Sequence, residues 1–152
     1  MFRGVNTLNL DAKGRLAIPT RYRDGLIRQT EGRMVVTVNN TERCLWLYPL
    51  MEWEVIERKL VNLPSLDGTA QRLKRILIGH ATECDLDASG RVLLPGPLRD
   101  FAELKKRVVM IGQGNKFEIW NEELWNTRRE EWLSQDVEGG GHLSVELESL
   151  SL

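Results

Sequence analysis

Asp11-Ala-Lys-Gly-Arg-Leu-Ala-Ile-Pro-Thr-Arg-Tyr-Arg-Asp24 recurs as Asp87-Ala-Ser-Gly-Arg-Val-Leu-Leu-Pro-Gly-Pro-Leu-Arg-Asp100. Seven of the fourteen positions are identical, and most of the others keep their apolar or polar character. Self-similarity of this kind marks a duplicated structural unit. It extends in both directions. Upstream, Leu8-Asn9-Leu10 matches Cys84-Asp85-Leu86; downstream, Met34–Val38 is matched with Arg107–Ile111, and Leu45–Tyr48 with Phe117–Trp120. Trp53 and Trp125 close the two copies, and the offset shrinks from 76 to 72, so the second copy has shorter loops.

Each copy reads as the same string of elements. An alternating strand (Thr7–Leu10, or Glu83–Leu86) runs into Asp-x-x-Gly, where Asp bonds its own backbone and Gly supplies positive φ. A second strand, Arg15–Ile18 or Arg91–Leu94, stops at Pro19 or Pro95, and proline opens a short helix at Tyr22–Ile27 or Leu98–Leu104. Two β-rich runs follow, split by Asn39-Asn40 in one copy and by Gly112–Gly114 in the other. After Pro49, the spacing of Trp53, Ile56, Leu60 and Leu63 predicts a helix with one apolar face. A connecting helix is expected over Thr69–Ile78, and another after Asn121, a natural N-cap. The tail from Glu138-Gly-Gly-Gly141 is expected to be flexible at its start, with Leu143, Val145, Leu147 and Leu150 free to dock. The five tryptophans sit at helical or strand spacing and read as core.

The 152 residues suffice for one good core, or for two half-size units that share one. No apolar run approaches the roughly 18 residues of a membrane span, and Met1-Phe2-Arg3-Gly4 lacks the apolar stretch of a secretion signal. The expected location is therefore the cytoplasm. Cys44 and Cys84 read as buried thiols in strands, and neither they nor His80 and His142 show metal-ligand spacing. The net charge of −1 hides an asymmetry: residues 1–76 hold 13 Lys and Arg against 8 Asp and Glu, while residues 77–152 hold 8 against 14. One reading is that the first half faces a polyanion; the other is that oppositely charged halves attract neighbouring subunits.

Two copies of Asp-x-x-Gly-Arg-[apolar]-x-[apolar]-Pro resemble the swapped-hairpin module of the AbrB superfamily of bacterial regulators and antitoxins. The tandem arrangement, the opening Met1–Gly4 and the stretch Leu77–Ala81 make the whole chain similar to the MraZ family. The resemblance implies an α+β fold in which two tandem modules form one pseudo-symmetric β-barrel with peripheral helices. Its expected parts are a first module over 5–52, a helical connector over 53–80, a second module over 81–124, and a C-terminal helix and tail over 125–152. It also implies a nucleoid-associated, ring-forming transcriptional regulator. Such a protein binds short direct repeats in double-stranded DNA upstream of the division and cell-wall gene cluster, its own gene included.

In that family the Asp-x-x-x-Arg segment faces DNA, which here means Asp11 and Arg15, and Asp87 and Arg91. The residues make a case of their own. Arg15 leaves a tight turn behind Lys13, with Arg21 and Arg23 on the next element. Guanidinium groups on a protruding ribbon grip guanine O6 and N7 in the major groove, whereas Lys13 suits phosphate. Arg3, near a start expected to be flexible, adds a further backbone contact. The alternative for Arg15 is an ion pair with Asp11 that merely locks the turn. For Arg91, with Ser89 replacing Lys13 and Pro97 replacing Arg21, the leading alternative is packing between subunits. Arg72-Leu-Lys-Arg75 reads as a solvated or subunit-facing helix surface.

Asp85-Leu-Asp87-Ala-Ser89-Gly90 matches the start of an EF-hand loop, but Gly96 occupies the position of its bidentate Glu. No phosphate loop, nucleophile elbow or His–carboxylate pair is present. No cofactor, small-molecule substrate or membrane partner is expected, and an enzyme is disfavoured. The competing functional class is a ring-forming assembly protein that touches DNA only incidentally.

Overall fold

A computed structural model describes residues 1–135 and 145–151. The first copy contains β1 (Val5–Asn9), β2 (Arg15–Ala17), α1 (Thr20–Thr30), β3 (Met34–Val38) and β4 (Leu45–Pro49). The helices α2 (Leu50–Val61) and α3 (Gly68–Leu77) lead to the second copy: β5 (Thr82–Glu83), β6 (Arg91–Leu93), α4 (Gly96–Phe101), β7 (Arg107–Gly112) and β8 (Phe117–Asn121). The chain ends with α5 (Glu122–Ser134) and α6 (Val145–Glu148). Local chemistry sets these boundaries. Pro19, Pro49 and Pro95 stand in the N-cap positions of α1, α2 and α4, at φ between −52° and −60°. Asp67 caps α3 by accepting from the N–H groups of Thr69 and Ala70. Glu31 ends α1 in the left-handed region at φ 58°.

The strands pair across the duplication. The large sheet has the order β1-β7-β8-β4-β3-β5, and β2 pairs with β6 in a separate two-stranded ribbon. The first strand of each copy thus lies against the third strand of the other: β1 on β7, and β5 on β3. The two hairpins, β3–β4 and β7–β8, meet at the middle through β4 and β8. Reading the order backwards exchanges the copies, which is an internal pseudo-two-fold.

The six-stranded sheet ends at β1 and β5 without closing on itself, and the end of β1 meets the β2–β6 ribbon at a single Leu10–Leu16 bridge, so the strand pairing alone does not establish the expected barrel. One expectation needs correction here: the match of Met34–Val38 to Arg107–Ile111 is off by one. Met34 pairs with Pro49 and Val108 with Asn121, so Met34 corresponds to Val108. Because side chains alternate along a strand, a slip of one residue exchanges the faces. The fully buried Met34, Val36, Val108 and Met110 confirm the corrected register. The copies lose length in the first helix, where α1 has 11 residues and α4 has 6.

One face of the sheet, the ribbon, α1 and α4 enclose a core that includes Leu16, Ile18, Leu26, Leu45, Val92, Leu94, Phe117 and Ile119. Val35, Tyr48, Trp53, Leu60 and Leu77 form a second cluster beneath α2 and α3. Burying one such side chain contributes about 1.5–3 kcal/mol, and both copies contribute to the main core. Residues 1–122 are accordingly one compact unit.

Trp46, Trp53 and Trp120 pack within this unit. The indole N–H groups of Trp46 and Trp120 donate to Glu118, at 3.1 and 3.0 Å. That bonding satisfies a carboxylate that is only 8% exposed. The thiols of Cys44 and Cys84 are buried, adjacent to β4 and β5 rather than inside them. Residues 123–152 cluster as a second unit. There Trp125 meets Trp132 edge-on at 5.8 Å, and Trp132 is 37% exposed, less buried than a core reading implies. Val145, Leu147 and Leu150 are exposed. Glu138–Gly141, His142 and Leu143 lie outside the described residues.

Candidate nucleic-acid interface

The Asp-x-x-Gly segments fold into two matching turns. In turn 1 (residues 11–15), the N–H of Gly14 donates to the Asp11 carbonyl at 3.0 Å, with Gly14 at φ +86°. Asp11 Oδ1 accepts the backbone N–H groups of Lys13 (2.9 Å) and Arg15 (2.8 Å), and Oδ2 accepts Arg15 Nε at 2.8 Å. Turn 2 (residues 87–91) repeats this bond by bond. Asp87 Oδ1 accepts the N–H groups of Ser89 and Arg91, both at 2.9 Å, and Oδ2 accepts Arg91 Nε at 3.0 Å. These interactions, the Arg backbone N–H first in each case, hold both carboxyls below the usual carboxylate range.

The ribbon brings the two arginines together. Arg15 lies opposite Leu93, and Ala17 opposite Arg91, with Leu16 opposite Val92 between them. Alternation sends Leu16 and Val92 into the core at 0% exposure and turns Arg15, Ala17, Arg91 and Leu93 outward. Arg15 and Arg91 are therefore diagonal neighbours on one face, about 7–8 Å apart by ordinary sheet geometry. Asp11 links them, its Oδ2 standing 4.0 Å from Arg91 Nη1. Fixing Arg15 through Nε leaves its two Nη groups without a hydrogen-bond partner among the described residues. A pair of open guanidinium donors matches the spacing of guanine O6 and N7.

Two further arginines clamp the turns from the opposite copy. Arg23 Nε donates to the Ile18 carbonyl (2.5 Å), and its side chain covers Gly90 so closely that an added Cβ would lie 2.5 Å from Nε. Arg99 Nε donates to the Leu94 carbonyl (3.0 Å) and covers Gly14 in the same way, with a Cβ 2.6 Å from Nε. The glycines serve this close approach as well as the positive φ. Arg23 thus has a structural place. Arg99, its counterpart, went unnoticed as a site residue although Arg23 and Arg99 occupy identical positions in the repeat.

Arg21 and Arg3 do not join the ribbon. Arg21 Nη2 donates to Asn6 Oδ1 at 2.8 Å on β1, and its guanidinium lies 4.8 Å from the Tyr22 ring centre. The Arg3 carbonyl accepts the Tyr22 hydroxyl. The start expected to be flexible is pinned: Phe2 and Gly114 exchange backbone hydrogen bonds of 2.7 and 2.9 Å, and the Phe2 ring stacks on Phe117 at 4.2 Å. Lys13 is exposed at the tip of turn 1.

The swap adds residues that the sequence reading missed. Leu10 donates its N–H to the Lys106 carbonyl at 2.8 Å, which sets exposed Lys105 and Lys106 beside turn 1, across a groove walled by Arg99. Elsewhere, Lys74 of the basic run on α3 is occupied within the fold, donating to the Leu63 carbonyl at 3.2 Å. No helix among the described residues is long and apolar enough to cross a membrane. Of the two carboxylates of the EF-hand-like segment, Asp87 is committed to Ser89 and Arg91, and Asp85 accepts the Met34 N–H.

Comparison with known proteins places this chain in a family. A family model described as "MraZ protein, putative antitoxin-like" matches residues 1–76 and again residues 77–138, one match per copy. A protein of Halorhodospira halophila named transcriptional regulator MraZ is 59% identical over 152 residues, covering 100% of both chains. Proteins of the same name from Thioalkalivibrio sulfidiphilus and Methylococcus capsulatus are 56% and 57% identical, with 100% and 99% of both chains covered.

Proposed function

This chain belongs to the MraZ family, and from that premise we propose that it is a DNA-binding transcriptional regulator rather than an enzyme. The observation that carries this reading is the exposed ribbon face. Arg15 and Arg91, each indexed by its own aspartate, stand there as adjacent guanidinium groups over a fully buried Leu16–Val92 pair. An arginine whose orientation is set before binding loses less entropy when it grips a base edge. The proposed targets are short direct repeats in double-stranded DNA upstream of the division and cell-wall gene cluster, including the protein's own promoter. The working species is a homo-oligomeric ring in the cytoplasm, associated with the nucleoid. Identical weak sites on successive repeats gain affinity through effective concentration. The relatives' shared name supports regulation; the repeats and the ring follow from the family resemblance.

The test is fluorescence anisotropy with a duplex of these repeats and with a scrambled duplex, over a salt series. Preference for the repeats together with a steep fall of affinity with salt is the expected result. Equal binding to both duplexes, with self-association as the salt-sensitive step, leaves the assembly protein as the better account.

A further inference from the structure

The two turns are alike inside and unlike outside. The copies correspond residue by residue around them, because Leu10 N–H donates to Lys106 and Leu86 N–H to Gly32, both at 2.8 Å. Lys13, Lys105 and Lys106 by turn 1 are therefore replaced by Ser89, Glu31 and Gly32 by turn 2. Asn9, on the strand entering turn 1, is replaced by Asp85, whose Oδ1 lies 3.3 Å from the Met34 N–H. One end of the ribbon is flanked by Lys13, Lys105 and Lys106, while at the other Glu31 and Asp85 stand in corresponding places and Arg33 corresponds to Arg107. The strand swap produces this contrast, since Lys105 and Lys106 belong to the acidic half of the chain and Glu31 to the basic half.

We infer that this contrast polarises the interface: Lys105 and Lys106 hold DNA phosphates beside turn 1, and the acidic flank at turn 2 turns phosphates away. The inference rests on the DNA-binding function proposed above. A two-fold protein meets a duplex equally well in either direction, and its natural targets are inverted repeats. Here the arginine pair keeps the pseudo-two-fold, but the surrounding charge breaks it. The protein therefore docks in one orientation, and successive copies repeat that orientation along direct repeats. The two lysines are suited to the task, as mobile point charges on an exposed segment whose backbone is fixed by Leu10. Arg107, next in the chain, is partly spent on Glu122 at 3.3 Å.

The experiment combines salt dependence with directional cleavage. A double variant, Lys105→Ala with Lys106→Ala, is compared with wild type and with Lys59→Ala at an exposed position of α2, using both the repeat and the scrambled duplex. Loss of two phosphate contacts lowers the slope of log affinity against log salt by about 2, and affinity by roughly 10- to 50-fold near 0.1 M salt. Lys59→Ala leaves both at the wild-type values. Direction is read by attaching an iron chelate to Ala12→Cys or, separately, to Ala88→Cys. Both positions are exposed, while native Cys44 and Cys84 are buried. Cleavage from position 12 is expected on one side of every repeat and from position 88 on the other. Glu31→Lys, which removes one of the differences between the flanks, is expected to raise the slope by about 1 and to shift part of the cleavage to the other side. An unchanged slope in the double variant, or two-sided cleavage by the wild type, overturns the inference. Loss of repeat preference alone contradicts the proposed function, and the slope on scrambled DNA still judges the lysines. Failure to bind either duplex contradicts both.

Discussion

Turn 1 and turn 2 bond their own atoms almost identically, with the Asp Oδ2–Arg Nε distance 2.8 Å in one and 3.0 Å in the other. Each has a positive-φ glycine covered by an arginine from the opposite copy. Their neighbours differ instead: Lys105 and Lys106 flank one, and Glu31 and Asp85 stand by the other. The comparison separates two kinds of constraint on a duplicated sequence. Positions that close the turn and seat the ribbon are kept in both copies, because each change there leaves a backbone group unbonded or a glycine overfilled. Positions that only face solvent are free to diverge, and at an interface divergence gives the two ends different tasks.

The symmetric half of this comparison can be broken by stability measurements. Leu16→Ala and Val92→Ala empty facing positions of one fully buried pair. The leucine is expected to cost about 2–4 kcal/mol and the smaller valine about 1–3 kcal/mol, with residues 1–122 unfolding in one transition. Urea unfolding followed by tryptophan fluorescence checks this, and separate transitions for the two copies contradict a shared core. Next come Gly14→Ala and Gly90→Ala. Positive φ and displacement of Arg99 or Arg23 make each cost about 1–3 kcal/mol, equally in the two copies. Combining Gly14→Ala with Arg99→Ala should cost less than the sum of the single changes. Clearly unequal single costs would show that the clamps are not equivalent.

Two smaller effects concern titration. The carboxyls of Asp11 and Asp87 have depressed folded-state pKa values. The stability they confer is therefore present above the usual carboxylate range and lost as pH falls through the depressed values. Asp11→Asn with Asp87→Asn is expected to flatten the acid side of a melting-temperature profile while hardly changing its steepness near pH 7. An acid limb as steep as the wild type's contradicts the role of these pairs. Burial raises the Cys84 thiol to about 12, so its neutral form is favoured in the fold. That contribution is complete below the ordinary thiol range and fades as pH rises toward the folded value. A thiol reagent at pH 8 should label Cys44 and Cys84 only as fast as the protein opens, and immediate labelling would contradict their burial.

The duplication, both turns, the Asp11–Arg15 pair and most helices were legible in the chain because each is written by neighbouring residues. Asp11 reaches no farther than Arg15, and Pro49 starts the helix that follows it directly. What was not legible depends on partners distant in sequence. Nothing local says that β1 lies on β7, so Lys105 and Lys106 could not be placed beside turn 1. Dividing the charge by halves likewise assigned Glu31 to the wrong neighbourhood. The one-residue error at Met34 arose because Met34–Val38 and Arg107–Gly112 are nearly continuous apolar runs, in which alternation gives no phase. The barrel came from resemblance, and the six-stranded sheet by itself ends at β1 and β5. Arg23 was read as a site residue from its place on the element after the first turn; its bond to the Ile18 carbonyl is visible only once the ribbon is formed.

The central claim is that the ribbon face reads DNA through Arg15. The most direct measurement is the anisotropy of a direct-repeat duplex, against a scrambled one, with wild type and Arg15→Ala at fixed salt. The account predicts tight, repeat-dependent binding by the wild type and a loss of about 1–3 kcal/mol per site in the variant, with specificity relaxed. Equal, weak binding of both duplexes by the wild type, or an Arg15→Ala variant that binds the repeats as tightly and as selectively, would contradict it.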